Sequence, residues 1–120
     1  MSENLTFGTW GEREAESYLI GQGFEILARN YRSRYGEIDL VARKGSLIAC
    51  VEVKTRRTSY FPIALVVTPQ KQKKIVTTAK IFLSEHKLSN VVCRFDVATI
   101  EKGDHGVALI TYLENAFYGG

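Results

Sequence analysis

Asp39, Glu52 and Lys54 are charged residues set in stretches that otherwise read as core strand, Glu37-Ile38-Asp39-Leu40-Val41-Ala42 and Cys50-Val51-Glu52-Val53-Lys54-Thr55. A charge in such a place costs several kcal/mol unless it is paired or bound to a metal. Two carboxylates and a lysine converging on one face have a definite chemical use. A hard divalent cation such as Mg²⁺ (or Mn²⁺) takes oxygen ligands, commonly one or two carboxylates, keeps several waters and also binds substrate phosphate. The bound ion lowers the pKa of a water and polarises a phosphoryl oxygen. A lysine beside it can orient that water or neutralise charge developing on the phosphate. Glu-x-Lys alone is more often a solvated pair on an exposed strand. The apolar setting and the second carboxylate set this one apart.

The elements that must bring these groups together are a hairpin and a helix. Glu37 to Lys44 and Leu47 to Arg57 alternate with a period of two around a Lys-Gly-Ser break. Glu37 and Asp39 are expected on one face, as are Cys50, Glu52 and Lys54. A Gly45-Ser46 turn, with Gly where type II′ prefers it, sets Asp39 opposite Glu52 and Glu37 opposite Lys54. A Lys44-Gly45 turn sets Asp39 opposite Cys50 instead, with Glu52 diagonal to it. Either turn leaves Asp39, Glu52 and Lys54 within reach on one face; a three-residue loop would separate them. Residues 5–21 read as an amphipathic helix ended by Gly21-Gln22-Gly23. Gly8, Gly11 and Ala15 are small enough to let it lie close to a sheet. Glu12 shares their side by helical spacing, and Glu14 points away. Glu12 is therefore the helix acid expected to face inward, with a cap or surface role as the alternative.

Further along, Phe24 to Tyr31 reads as a first strand with Phe24, Ile26 and Ala28 on one face. Asn30 to Tyr35 interleaves Arg32 and Arg34 with two tyrosines, which suits phosphate contact plus stacking. Residues 58–67 form a connection with Pro62 and a short apolar stretch. Thr68-Pro69 is an N-cap followed by proline at the first helical position. The helix it opens runs to about His86, buries Ile75, Ala79, Phe82 and Leu83, and shows Lys71, Lys73, Lys74 and Lys80 outward. Lysines near a helix N-terminus oppose its dipole, as expected where an anionic ligand sits nearby. Val91–Ile100 and Val107–Leu113 read as strands joined by a turn, and Asn115-Ala116-Phe117 as an aromatic docked after a last turn. Asp96 is a strand acid that could join the site, although pairing with Arg94 or the basic helix is the stronger reading.

Charge is unevenly placed. Residues 29–80 hold twelve of the sixteen Lys and Arg but only three of the thirteen acids, a net +9 against −6 for the rest. Such a segment points to a polyanionic partner, nucleic acid above all. The 45% hydrophobic and 24% charged composition argues against disorder. At 120 residues the chain is expected to be a single domain, 1–120. No apolar run approaches the ~18 residues a membrane helix needs, and a signal-peptide layout is lacking, so a cytoplasmic protein without a membrane partner is expected. Cys50 and Cys93 read as buried free thiols rather than a disulfide.

Gly36-Glu37-Ile38-Asp39-Leu40-Val41-Ala42 followed by Val51-Glu52-Val53-Lys54-Thr55-Arg56 resembles the bacterial YraN family of endonuclease-like proteins. That family is similar in turn to archaeal Holliday-junction resolvases and the restriction-endonuclease-like, PD-(D/E)xK, group. Gly11-Glu12 with Ala15, Leu27 to Arg32, Lys71 to Ile75, Arg94-Phe95-Asp96-Val97 and Asn115-Ala116-Phe117 extend the match over nearly the whole chain. The resemblance implies an α/β fold with a restriction-endonuclease-like core, a mixed central β-sheet flanked by α-helices. It implies Asp39, Glu52 and the Val53 backbone carbonyl as ligands of Mg²⁺ or Mn²⁺, Lys54 as the catalytic lysine and Glu12 as the helix carboxylate completing the site. DNA would be the partner, contacted through Arg32, Arg34, Arg56, Arg57, Lys71, Lys73 and Lys74, and a homodimer is implied for the assembly. The apolar stretch Ser59 to Val67 departs from the less apolar, acid-containing connection expected there. The function expected is phosphodiester hydrolysis in DNA, branched DNA included. Its rivals are a non-catalytic nucleic-acid-binding module and a protein-interaction domain. Only the last predicts nucleic-acid affinity that does not fall steeply with salt.

Overall fold

The alternating run from Glu37 to Arg56 folds as a hairpin in the computed structural model of the chain, which describes residues 6–57 and 67–118. Strand β2 (Glu37–Lys44) and β3 (Leu47–Arg56) pair antiparallel with Lys44 opposite Leu47, so Gly45 and Ser46 are the two turn residues. Gly45 has φ 60°, the sign that type II′ requires at its first central position and that a β-carbon would strain. The pairing runs to Leu40 opposite Val51, and its continuation sets Asp39 across from Glu52. The two other turns considered are thereby excluded.

Around the hairpin lie α1 (Phe7–Gly21), β1 (Glu25–Arg32), α2 (Pro69–Glu85), β4 (Val92–Lys102), a 3₁₀ turn (Asp104–Gly106) and β5 (Ala108–Phe117). The five strands form one sheet in chain order, parallel between β3 and β4 and antiparallel elsewhere. The parallel pair requires the crossover that carries α2. Helix α1 buries Ala15 and Leu19 on one face of the sheet against Leu40, Ala42, Ala49 and Val51. Helix α2 buries Ile75, Ala79 and Phe82 on the other against Val41, Ile48 and Cys50. The described residues form an α/β fold, a mixed sheet flanked by two helices, and it is compatible with a restriction-endonuclease-like core. Among the described residues, no helix is long and apolar enough to cross a membrane.

Both helices start on a threonine cap: Thr6 accepts from the Thr9 N–H at 3.0 Å and Thr68 from the Lys71 N–H at 3.3 Å. Such caps contribute about 1 kcal/mol each. Close approach of α1 to the sheet depends on Gly11, where an added β-carbon would lie 2.0 Å from Thr55 Oγ1. Gly8 has no such role, since nothing lies within 4 Å of its would-be β-carbon.

Strict alternation fails in two places, and both correct the sequence reading. The β1–β2 register shifts between Ile26 and Ala28, so Ile26 packs on the α1 side while Leu27 and Ala28 pack on the α2 side. A bulge places two successive residues on the same side in this way. The second break lies at Asn30 and Asp39. Leu40 packs on the α1 side, yet Ile38, two residues earlier, packs on the α2 side with Tyr31. Asn30, which the register places across from Asp39, has φ 48° and supplies the left-handed kink. Asn115-Ala116-Phe117 does not follow a turn. It is the end of β5, where Asn115 at φ 55° bulges the strand and Phe117 stacks on Phe95 at 5.2 Å. The departure noted at residues 59–67 lies, apart from the buried Val67, outside the described residues.

Candidate functional site

Where the alternation breaks at Asp39, β2 is tied to β3 by a side chain: the Val53 N–H donates to Asp39 Oδ2 at 2.7 Å. The strand ends here border a cavity of about 450 Å³. Asp39, Glu52 and Lys54 all line it, with Glu37 beside them, so the hairpin delivers the three predicted groups to one place. Helix α1 adds Glu12, half-buried and inward as its spacing predicted. Helix α2 adds Lys71 and Lys74 from the opposite face of the sheet.

The electrostatics of the carboxyl pair are unusual. Burial, a hydrogen bond that its protonated form donates to Glu52, and the Glu52 charge push the Asp39 carboxyl up to about 8, with Glu12 adding repulsion and only the Val53 N–H opposing. A carboxyl that keeps its proton is the usual outcome where a second carboxylate stands beside it. Lys71 answers part of the excess charge: its Nζ lies 2.7 Å from Glu52 Oε2. Among the described residues, no three His, Cys, Asp or Glu side chains gather into a ready metal cluster. The donor set of two crowded carboxyls beside a backbone carbonyl fits a cation that keeps several waters, and the Asp39–Glu52 repulsion is what such an ion relieves.

Of the seven basic residues predicted to contact nucleic acid, Lys71 and Lys74 line the cavity and five do not. Arg32 is exposed, with Nε 3.6 Å from Oε1 of the cavity-lining Glu37. Arg34 is exposed over the Tyr35 ring at 5.4 Å, and Arg57 lies over Phe7 at 4.4 Å. Lys73 is exposed and Arg56 half-buried. Asp96 does not join the site. It is 1% exposed and accepts from Arg94 Nε at 2.9 Å, Tyr112 Oη at 2.6 Å and the Asn115 N–H at 2.8 Å. This is the Arg94 pairing expected, buried under β5 where it stitches the Asn115 bulge. Cys50 and Cys93 are free thiols whose sulfurs lie 3.6 Å apart.

The sequence pattern did not single out the ion pair between Lys71 and Glu52. In the sequence Lys71 is one of several lysines on a basic helix. Its opposition to the helix dipole was the available signal, and the partner's location on a different element could not be read from it.

Residues 11–100 match the description "Uncharacterised protein family UPF0102". The UPF0102 protein of Geotalea daltonii is 42% identical over 117 residues, covering 97% of this chain and 92% of its own length. That of Saccharophagus degradans is 43% identical over 119 residues, covering 98% and 97%. The one from Symbiobacterium thermophilum is 39% identical over 112 residues, covering 92% and 95%. The matched span contains every residue of the cavity, from Glu12 through the hairpin to Ile75. With a match of this extent, the chain belongs to the uncharacterised protein family UPF0102, the YraN family that its hairpin motifs resemble.

Proposed function

We propose that this protein is a metal-dependent nuclease that hydrolyses phosphodiester bonds in DNA, with branched DNA such as four-way junctions as its preferred substrate. One observation carries the reading: Asp39 and Glu52 crowd together in an open cavity that also holds Lys54, Lys71 and Lys74. A structural core gains nothing from two adjacent carboxyls, one of them held protonated into the neutral range. Asp39, Glu52 and the Val53 carbonyl would hold Mg²⁺ or Mn²⁺, with Glu12 on α1 as a further donor. When bound, the ion supplies Lewis acidity and a water of lowered pKa. Lys54 would orient the attacking water and neutralise charge on the phosphate. Lys71 and Lys74 take a neighbouring phosphate, and Arg32, Arg34, Arg56, Arg57 and Lys73 extend the basic surface along the backbone. The preference for branched DNA, and assembly as a homodimer, follow from the likeness of the hairpin motifs to Holliday-junction resolvases, which is a warrant by analogy.

The neutralisation of Glu52 by Lys71 favours a second reading, a non-catalytic nucleic-acid-binding module of the same fold. Purified protein incubated with linear, flapped and four-way-junction DNA, and with RNA, in Mg²⁺ or Mn²⁺ separates the two. Cleavage lost in both Asp39→Asn and Lys54→Ala supports the nuclease. Cleavage surviving both substitutions marks a contaminant, and salt-dependent binding without cleavage on any substrate establishes the module.

A further inference from the structure

Lys71 occupies one carboxylate oxygen of Glu52, a residue that would hold the cation under the nuclease reading. Its Nζ lies 2.7 Å from Glu52 Oε2, with the Glu52 side chain 7% exposed and the Lys71 side chain 50% exposed. The two ends of this ion pair differ in freedom. Glu52 is fixed within β3, between residues paired on both sides with β4. The Lys71 backbone is fixed in the first turn of α2 by the Thr68 cap, but its four-carbon stem leads through half-exposed space. Lys71 can leave Glu52 without unburying anything, whereas Glu52 cannot follow. Lys74, one turn further along α2, lines the same cavity.

We infer that Lys71 couples the two ligands of the site: it shields Glu52 from a divalent cation until a nucleic-acid phosphate draws the ammonium away. The inference depends on the nuclease reading for the identity of both ligands and adds an order of preference to it. An ammonium and a divalent ion on one carboxylate repel at short range, so each weakens the other. A phosphate placed between Lys71 and Lys74 gives the ammonium a new partner and frees Glu52 Oε2. By linkage the effect is reciprocal, and the cation strengthens phosphate binding by the same factor. The cavity then holds its metal weakly alone and firmly with substrate present, which limits metal-driven cleavage to occupied protein. If the ion pair served only to stabilise the fold, deleting the lysine would lower stability and leave cation affinity as it was.

The test is calorimetric titration of the whole protein with Mn²⁺, alone and with a saturating phosphodiester oligonucleotide, for wild type, Lys71→Met and Lys71→Arg. Lys71→Met keeps the stem and deletes the charge; Lys71→Arg keeps the charge. Free Lys71→Met should bind Mn²⁺ about tenfold more tightly than wild type, within the range usual for linked sites, and Lys71→Arg should not. The oligonucleotide should raise the Mn²⁺ affinity of wild type by a similar factor and that of Lys71→Met little. A methylphosphonate oligonucleotide of the same sequence, lacking the backbone charge, should give wild type no gain. Equal Mn²⁺ affinity in wild type and Lys71→Met, both folded by circular dichroism, overturns the coupling and leaves the nuclease reading standing. Absence of Mn²⁺ binding in every variant, with and without oligonucleotide, overturns both.

Discussion

The Val53 N–H donates to Oδ2 of Asp39 at 2.7 Å, so a site carboxyl also closes the hairpin where its backbone pairing ends. Asp39 has two duties, and substitutions separate them. Asp39→Asn keeps an acceptor for Val53 and removes the charge, whereas Asp39→Ala leaves a part-buried N–H without its partner. Urea denaturation at pH 5 should find Asp39→Ala less stable than Asp39→Asn by about 1–3 kcal/mol. Equal stabilities would mean that the Val53 contact contributes nothing.

The same carboxyl sets a pH dependence. Its folded value of about 8 lies above the ordinary 3.8. The folded state therefore holds a proton that the unfolded chain releases, and the contribution of Asp39 to stability is full below pH 4 and is lost as pH rises through 8. Melting curves from pH 4 to 9 should show wild type losing stability across that window relative to Asp39→Asn. A difference that stays constant with pH would remove the case for a proton held on Asp39.

Much of this site was legible before the fold was seen, for reasons that can be located. Asp39, Glu52 and Lys54 stood out because a two-residue turn fixes register across a hairpin, and Gly45 announces such a turn. Glu12 was legible because helical spacing ties it to Ala15 and Leu19. What could not be read depended on distortions or on distant partners. Nothing local shows that Leu27 bulges and reverses Ala28, or that Asn30 takes a left-handed conformation opposite Asp39. Asp96 showed its strand position, but its burial comes from Tyr112 and Asn115 on a strand added later in the chain. The Lys71–Glu52 pair likewise joins elements that only the crossover through α2 brings together.

Gly11 should be as sensitive as the site itself. In a helix interior Ala normally exceeds Gly by about 1 kcal/mol. Here the new methyl would meet Thr55 Oγ1 at 2.0 Å, on the strand that carries Lys54. Gly11→Ala is expected to lose about 1–3 kcal/mol by overpacking, with partial recovery in Gly11→Ala/Thr55→Ala. A stabilised Gly11→Ala in chemical denaturation would show that α1 does not press on β3.

The lysines of α2 make a prediction about salt. If Lys74 contacts phosphate, Lys74→Ala should lower DNA affinity and reduce the slope of log affinity against log salt by about 1. Lys80, exposed six residues further along the same helix and outside the cavity lining, serves as the control. Fluorescence anisotropy from low to moderate salt measures both. Identical slopes for Lys74→Ala, Lys80→Ala and wild type would separate the cavity from the nucleic-acid surface.

The central claim is that Asp39 and Glu52 together form a cation site, and Mn²⁺ binding tests it most directly. Calorimetric titration at pH 8.5, where Asp39 is largely ionised, should find Asp39→Asn and Glu52→Gln each weakened by about tenfold or more relative to wild type, since each removes one of the few protein ligands such an ion uses. Mn²⁺ affinity unchanged by both substitutions would contradict it.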